Sequence, residues 1–283
     1  MLMTVLRPDN VSSPVDPLLR HLAPALANIA PERIDAIFAA TADHTLFIVD
    51  DARFVCHFDH TTKTITISRG VVEVMWALSH AYFVLFDRVL AGRLVTAPVV
   101  FDLTTNADLK RAMETLAWAL NRHLHGDSDD WPATLPHPVP KPAQDSDESV
   151  SDELALCAVA FLLHHELAHS RFKHLPLPEG ADSIDQERQA DYEAAEWILG
   201  RLDGPSQQMD PFFRKRTLGV SVALTFMVAV GIHSGSHGGK KHPRHFDRLI
   251  NTLDRHISDP NHPTWSFIIG PLALHMDLSL IHI

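Results

Sequence analysis

The sequence predicts an α+β fold in which a mainly helical chain carries one small antiparallel sheet. Two observations lead to this class. Apolar residues recur at spacings of three and four over most of the 283 residues, as they do on the buried faces of helices. Three short runs rich in β-branched and aromatic residues lie between residues 45 and 69. The length allows one large domain or two small ones, and we expect a single domain over residues 1–283.

The predicted elements follow one another in blocks. Residues 1–44 form a helical lead-in behind a proline-rich, irregular start, and residues 45–69 form the sheet. A polar stretch at residues 60–63 predicts a hairpin turn between the last two strands. Strands are expected at residues 45–49, 53–58 and 64–68, and helices at residues 17–30, 30–40, 70–92 and 107–125, with further helices over residues 151–283.

Residues 126–150 interrupt the helical pattern. They hold a proline-rich stretch and an acidic run at residues 145–149, a composition that offers little apolar surface for a packed element. We therefore expect an exposed loop or a linker. The segment directly precedes a helix whose cap is expected at Ser149 or Ser151, so that a lid over that helix is the alternative.

The composition excludes some classes of partner. The net charge of −11 argues against nucleic-acid binding, which requires a basic face. The two cysteines, Cys56 and Cys157, are too few for a disulfide framework and favour a reducing compartment. The first residues lack the basic region and apolar run of a signal peptide. We therefore expect a cytoplasmic protein.

One segment bears on membrane contact. Residues 217–232 contain no charged residue and follow the basic run at residues 214–216. The apolar segment is shorter than the roughly 20 residues that are needed to cross a bilayer. A buried core helix is therefore the favoured interpretation, and peripheral membrane contact through the basic flank is the alternative.

The chemistry of the sequence centres on H-E-x-x-H at residues 165–169. On a helix, His165 and His169 lie on one face because they are four residues apart, and they can offer two imidazoles to one metal ion. Glu166 stands beside the first histidine, where it can take a proton from water. The apolar run before the motif predicts a buried helix, in which polar groups require partners such as a metal. A histidine-rich helix without a metal is the alternative.

A third ligand is expected from the next helix, which begins near residue 183. Glu187 and Asp191 are four residues apart and share a helix face. Glu187 can complete a His₂Glu set with a fourth position open for water. Asp191 can accept a hydrogen bond from a ligand histidine. An acidic pair on a solvated helix is the alternative, and His174, just past the motif, is expected to be exposed.

These motifs together resemble a known family. H-E-x-x-H followed by E-x-x-A-D-x-x-A is similar to the gluzincin group that contains the CAAX-prenyl-protease and heat-shock membrane peptidases, and more closely to the Lit-type phage-exclusion peptidases. Residues 65–70 resemble the family's edge strand and the glycine that opens the next helix. His242-Pro243 and Arg248 resemble a late H-P-x-x-x-x-R element. Residues 1–40 and 87–150 have no counterpart in this resemblance.

The resemblance implies a zincin-like metallopeptidase domain that binds Zn²⁺ and cleaves a protein or peptide substrate, in particular one host protein in phage defence. His242 would lie near the metal and donate to the oxyanion of the intermediate. Arg248 would hold the intermediate or bind the substrate backbone. Two other functions are kept as alternatives, namely a zinc-binding regulatory or interaction protein and a peptidase that cleaves a regulator. Nothing in the sequence indicates an oligomeric state.

Overall fold

The computed structural model describes residues 3–9, 13–90, 106–125, 130–174, 180–200, 210–239 and 242–280. Within these residues the chain is mostly helical and carries one small sheet, as the α+β class predicts. The strands are β1 (Thr4–Leu6), β2 (Thr45–Val49), β3 (Cys56–Asp59) and β4 (Thr64–Ser68). The helices are α1 (Asp16–Leu19), α2 (Leu22–Asn28), α3 (Ile34–Thr41), α4 (Arg69–Leu85), α5 (Ala107–His125), α6 (Asp147–Arg171), α7 (Ala181–Leu199), α8 (Pro211–Ser234), α9 (His245–Asp254) and α10 (Pro263–Leu280).

The sheet is mixed, so that the expectation of an antiparallel sheet is wrong. Its strand order is β1-β2-β4-β3. The β1–β2 and β2–β4 pairs are parallel, and the β3–β4 pair is antiparallel. Strands β3 and β4 form the predicted hairpin, and β4 lies between β2 and β3 in the sheet. The extra strand β1 comes from the start of the chain, which the sequence predicts to be irregular, and α1 to α3 form the crossover that a parallel pair requires.

Helix α6 runs through the centre of the fold. It packs against α2, α4, α7, α8 and β3, and most of its side chains from Leu154 to Ala168 are buried, as expected of a helix that is apolar on nearly all sides. At the contact with α8, a Cβ on Gly219 would lie 2.1 Å from the Cβ of Cys157. Glycine therefore allows the two backbones to approach closely, and Cys157 is a buried core residue.

Residues 217–232 lie within α8. The helical stretches Pro211–Ser234 and Arg69–Arg88 are long and apolar enough to cross a membrane, but most of each is covered by other parts of the chain. Core helices of globular proteins have the same length and composition. Both stretches therefore serve the core of this fold.

The beginning of α6 differs from its prediction. Ser146 caps the helix by accepting a hydrogen bond from the Ser149 N–H. Residues 147–150 are therefore the first turn of α6, and a cap at Ser149 or Ser151 is wrong by three to five positions. Helix α4 ends at Leu85, and a π-helical turn follows over Phe86–Leu90. The predicted stop at residue 92 lies outside the described residues.

The described part of the segment 126–150 is anchored to α4 and α5 through Trp131. Trp131 is buried, and its ring packs against Trp76 of α4 and Trp118 of α5. This contact lies at the N-terminal end of α6, whereas the H-E-x-x-H motif begins 18 residues after Asp147, roughly 27 Å along the helix. Residues 130–146 therefore stand too far away to cover the motif.

Candidate metal centre

The candidate metal centre lies where the C-terminal part of α6 meets α7. Three alanines of α7, Ala190, Ala194 and Ala195, are fully buried at the side of the helix that packs on α6. Their small side chains let the two helices approach closely. The acidic residues of α7 are thereby brought within reach of the histidines of α6.

Three side chains converge at this contact. The Nε2 atoms of His165 and His169 are 3.2 Å apart. One carboxylate oxygen of Glu187 lies 3.5 Å from the Nε2 of His165, and the other lies 3.5 Å from the Nε2 of His169. Tetrahedral ligands that lie about 2.0–2.1 Å from an ion are about 3.3 Å from one another. The two imidazoles and the carboxylate therefore have the chemistry and the spacing to hold one metal ion.

His165 is held from behind by two further side chains. Its Nδ1 lies 3.0 Å from the Oδ1 of Asp191, the contact that the sequence predicts. The Nε and one terminal nitrogen of Arg248 each donate to Asp191 at 2.6 Å. Burial alone would lower the pKa of His165, but the hydrogen bonds to Asp191 and Glu187 outweigh it and raise that pKa. An Nδ1–H that points at a carboxylate leaves Nε2 free to face an ion.

Arg248 lies behind Asp191, and one of its terminal nitrogens is 4.0 Å from an oxygen of Glu187. The side chain is only 7% exposed and forms a two-pronged ion pair with Asp191, itself 1% exposed. It therefore lies beneath the site, on the side of Asp191, rather than at the surface where a substrate backbone would bind. The cation also lowers the pKa of Asp191, although burial by itself would raise it. Arg248 thus keeps Asp191 ionised and in place.

Glu166 lies beside the three converging side chains and is not one of them. Burial raises its pKa to about 7, with a further contribution from the charge of Glu187, while the positive charge on His165 opposes the rise. A hydrogen bond from the backbone N–H of Phe58, in β3, also stabilises the carboxylate. The carboxyl is therefore poised to gain and to lose a proton near neutral pH.

His242 approaches the site from the loop between α8 and α9. Its Nδ1 lies 2.9 Å from an oxygen of Glu187, and the side chain is 50% exposed. The loop needs glycine at two positions, because Gly238 and Gly239 have φ angles of 80° and 98°. The Gly239 N–H donates to the His242 C=O at 2.7 Å. His242 therefore lies beside Glu187 of the candidate centre.

The expectation that His174 is exposed is wrong. It is only 5% exposed, and its Nδ1 lies 3.0 Å from the Nδ1 of His169. Its Nε2 lies 3.0 Å from the Oε1 of Gln189. His174 lies beyond the end of α6. Helical spacing therefore does not relate it to His169, five residues earlier. The motif pattern therefore gives no signal for this contact.

Comparison with known proteins supports a peptidase. A family model described as Peptidase U49 matches residues 65–268, a range that includes every side chain of the candidate centre. A protein of Escherichia coli (strain K12) described as a cell death peptidase is 28% identical over 247 residues, which cover 85% of this chain and 81% of that protein. No solved structure matches the chain. Because the family model matches well over half of the chain, the chain belongs to the peptidase U49 family.

Proposed function

We propose that this peptidase depends on zinc, held by His165, His169 and Glu187. The observation that carries the proposal is the convergence of two imidazole nitrogens and one carboxylate within 4.8 Å of one another. Zinc is the ion that a His₂Glu set with an open fourth position most often binds in hydrolases. When bound, zinc would polarise the scissile carbonyl and lower the pKa of a water molecule.

Glu166 supplies the acid–base chemistry in this proposal. Its pKa of about 7 lets the carboxylate accept a proton from the attacking water and later return it to the leaving amine. It stands next in sequence to His165 on the same helix, so that the base and the ligand are fixed relative to each other. Its hydrogen bond from Phe58 orients the carboxylate toward the site.

His242 is the proposed donor to the oxyanion of the tetrahedral intermediate. Its Nδ1 is engaged by Glu187, which leaves Nε2 as the nitrogen that can face a substrate. The half-exposed ring is compatible with contact to a bound peptide, and a donor at this position stabilises the charge that develops on the carbonyl oxygen. Arg248 is not given this role, because Asp191 engages it inside the protein.

The proposed substrate is a protein cleaved at an internal, extended segment. Strand β3 lies at the edge of the sheet and packs on α6. Since the Ser68 N–H donates to the Val55 C=O, the pairing register places the backbone groups of Cys56 and Phe58 on the side facing away from β4. The Phe58 N–H donates to Glu166, and the other outward backbone groups of Cys56 and Phe58 can pair with a peptide strand.

The biological setting is proposed from the relative and from composition. The E. coli relative is described as a cell death peptidase. For this chain we propose the cleavage of one host protein in phage defence. Two free cysteines agree with a cytoplasmic site of action. Cleavage of a regulator would be a variant of the same chemistry and would appear in the same experiment as a different cleaved protein.

The variant Glu166→Gln tests this function. We expect parent and variant to bind one zinc per chain, and the variant to lose hydrolysis by about 10²- to 10⁴-fold because it has no base. Zinc is measured by mass spectrometry of the metal, and cleavage by the new protein N-termini that appear when the chain is expressed in E. coli. Glu153→Gln is the matched control, since Glu153 lies on the same helix and its side chain is 54% exposed. A parent without stoichiometric zinc, or a variant that cleaves as fast as the parent, would overturn the proposal.

A further inference from the structure

We propose that His174 and Gln189 form a hydrogen-bonded relay that fixes the orientation and the tautomer of the ligand His169. The inference rests on the proposed function, because it concerns how a ligand is prepared for the metal. It assigns a positioning role to two side chains that neither the H-E-x-x-H motif nor the family match singles out.

The relay consists of two contacts in series. The Nδ1 atoms of His169 and His174 are 3.0 Å apart, and the other nitrogen of His174 lies 3.0 Å from the amide oxygen of Gln189. The opposite nitrogen of His169, its Nε2, faces His165 and Glu187. His169 is thus held on one side by the relay and presents its other side to the site.

The metal requirement sets the direction of the protons. A bound ion needs the bare Nε2 of His169, so that the proton of this neutral ring must lie on Nδ1. His169 then donates to the Nδ1 of His174, which must be bare to accept. The proton of His174 therefore lies on Nε2 and is donated to the Oε1 of Gln189. With this arrangement of protons, both nitrogens of His174 and the Nδ1 of His169 have hydrogen-bond partners.

The end of α6 places His174 on the ligand. Lys173 has a left-handed backbone with φ of 54°. The His174 N–H donates to the His169 C=O at 2.9 Å, and the Lys173 N–H donates to the Ser170 C=O at 3.1 Å. These are the two hydrogen bonds of a Schellman helix end, in which the side chains of the positions here occupied by His169 and His174 commonly touch. In this chain the touching side chains are two imidazoles.

The two ligand histidines are therefore supported in different ways. His165 donates to the buried carboxylate of Asp191, which is paired with Arg248. His169 donates to the neutral imidazole of His174, whose own N–H donates to the amide oxygen of Gln189. Both supports lie on α7, since Gln189 and Asp191 follow the proposed third ligand Glu187 by two and four residues. The packing of α7 on α6 therefore places Glu187 and both supporting residues, Gln189 and Asp191, near the histidines of α6.

The test measures zinc affinity by competition with a chromophoric chelator. We expect His174→Phe to weaken zinc binding by about 10- to 100-fold, the usual effect of losing a hydrogen-bond partner of a metal-ligating histidine. The phenyl ring keeps the stacking on Phe172, whose ring centroid is 5.6 Å away, but has no acceptor. His174→Gln should restore most of the affinity, because its amide can accept from His169 and donate to Gln189.

The direction of the relay is tested at Gln189. Gln189→Glu offers only acceptors and should bind zinc at least as tightly as the parent, whereas Gln189→Met has neither donor nor acceptor and should bind it more weakly. Cobalt substitution adds a second readout, because a displaced imidazole changes the visible spectrum of the ion. His80→Phe is the matched control, since His80 is also 5% exposed and hydrogen-bonded but lies on α4.

The outcomes separate this inference from the proposed function. If the parent binds no zinc, the proposed function fails and the relay with it. If the parent binds zinc and His174→Phe binds it as tightly, or only as weakly as His80→Phe, the relay is refuted and the peptidase proposal stands. If Gln189→Glu weakens binding as much as Gln189→Met, the proposed proton direction is wrong and the inference is overturned.

Discussion

The two ends of α6 hold buried polar side chains in contrasting ways. At the N-terminal end the polar groups form separate pairs with neighbouring helices. Trp76 of α4 donates to Asp152 at 2.6 Å, and His80 of α4 lies 3.1 Å from the hydroxyl of Ser151. Each of these contacts joins one donor to one acceptor, and together they fix α4 against α6.

At the C-terminal end the polar groups converge instead of pairing off. Ligand atoms of His165, His169 and Glu187 lie close to one another, and each of the three side chains also contacts a further side chain. Two imidazole nitrogens that face each other at 3.2 Å share at most one proton without a cation. The contrast teaches that burial of polar groups does not by itself mark a site, whereas convergence of acceptors does.

Among the variants considered, removal of the proposed third ligand should change zinc binding and cleavage most. Glu187→Ala deletes one of the three converging groups, and two imidazoles alone hold zinc far more weakly. We expect loss of stoichiometric zinc after dialysis and loss of cleavage by 10³-fold or more, about the contribution of activated water chemistry. Zinc content and the appearance of new N-termini measure the two effects.

The control for that variant lies on the same helix. Glu196→Ala removes a carboxylate of α7 whose side chain is 52% exposed and pairs with Arg33, so that zinc and activity should be kept. One zinc per chain in Glu187→Ala would show that another residue supplies the third ligand.

Removal of the cation beneath the site should have the next largest effect. Arg248→Met leaves the carboxylate of Asp191 buried without its ion-pair partner, which costs about 3–5 kcal/mol of stability. Because Asp191 also orients His165, zinc affinity should fall about tenfold as well. Urea unfolding and chelator competition measure the two quantities.

Arg122→Met separates the stability effect from the metal effect. Arg122 and Glu73 form an ion pair in which both side chains are 1% exposed, and this pair lies on α5 and α4, away from the site. We expect a loss of stability that is smaller, because Arg69 and Ser13 still donate to Glu73, and an unchanged zinc affinity. Equal zinc affinities in the two methionine variants would remove Arg248 from the support of the metal centre.

The smallest expected effect lies at the other end of α6. Burial raises the pKa of Asp152 to about 6, and the negative charges of Glu148 and Glu153 add to the rise, while the hydrogen bond from Trp76 opposes it. A carboxyl whose pKa is higher in the folded than in the unfolded chain destabilises the fold above that pKa. Asp152→Asn keeps an acceptor for Trp76 and should therefore stabilise the fold by about 1 kcal/mol at pH 8, since solvent screens a partly exposed group.

The pH dependence gives the sign of this effect. The advantage of Asp152→Asn should shrink as the pH falls through 6 and vanish below about 4, where the aspartate is protonated in both states. Thermal unfolding at several pH values measures it, with zinc content as the control that should not change. A variant that is less stable than its parent at pH 8 would show that the charged form of Asp152 is favoured in the fold.

The spacing of residues along the chain predicts much of the candidate site. His165 and His169, and likewise Glu187 and Asp191, are four residues apart, and a helix converts that separation into a shared face. The apolar run before the motif predicts burial, and α6 is buried. His242 was found only through its resemblance to a family motif, because no local rule links a loop residue to a helix far before it in the chain.

Sequence patterns do not predict contacts made by residues outside regular helices and strands. His174 lies past the end of α6 in a left-handed turn, where periodicity predicts neither direction nor burial. Arg248 reaches Asp191 across 57 positions of the chain, a contact that local spacing does not predict. Trp131 stands in a proline-rich segment, and its burial depends on two tryptophans of other helices.

The sequence by itself determined the α+β class, the helices that carry the candidate ligands and the pairing of imidazoles with a carboxylate. These features depend on helical repeat and on the chemistry of side chains, both of which are local. The tertiary structure alone decided the mixed sheet order, the place of residues 130–146 at the far end of α6, and the partners behind each ligand. These features depend on which distant surfaces pack together, because burying apolar side chains and pairing buried polar groups is settled over the whole chain.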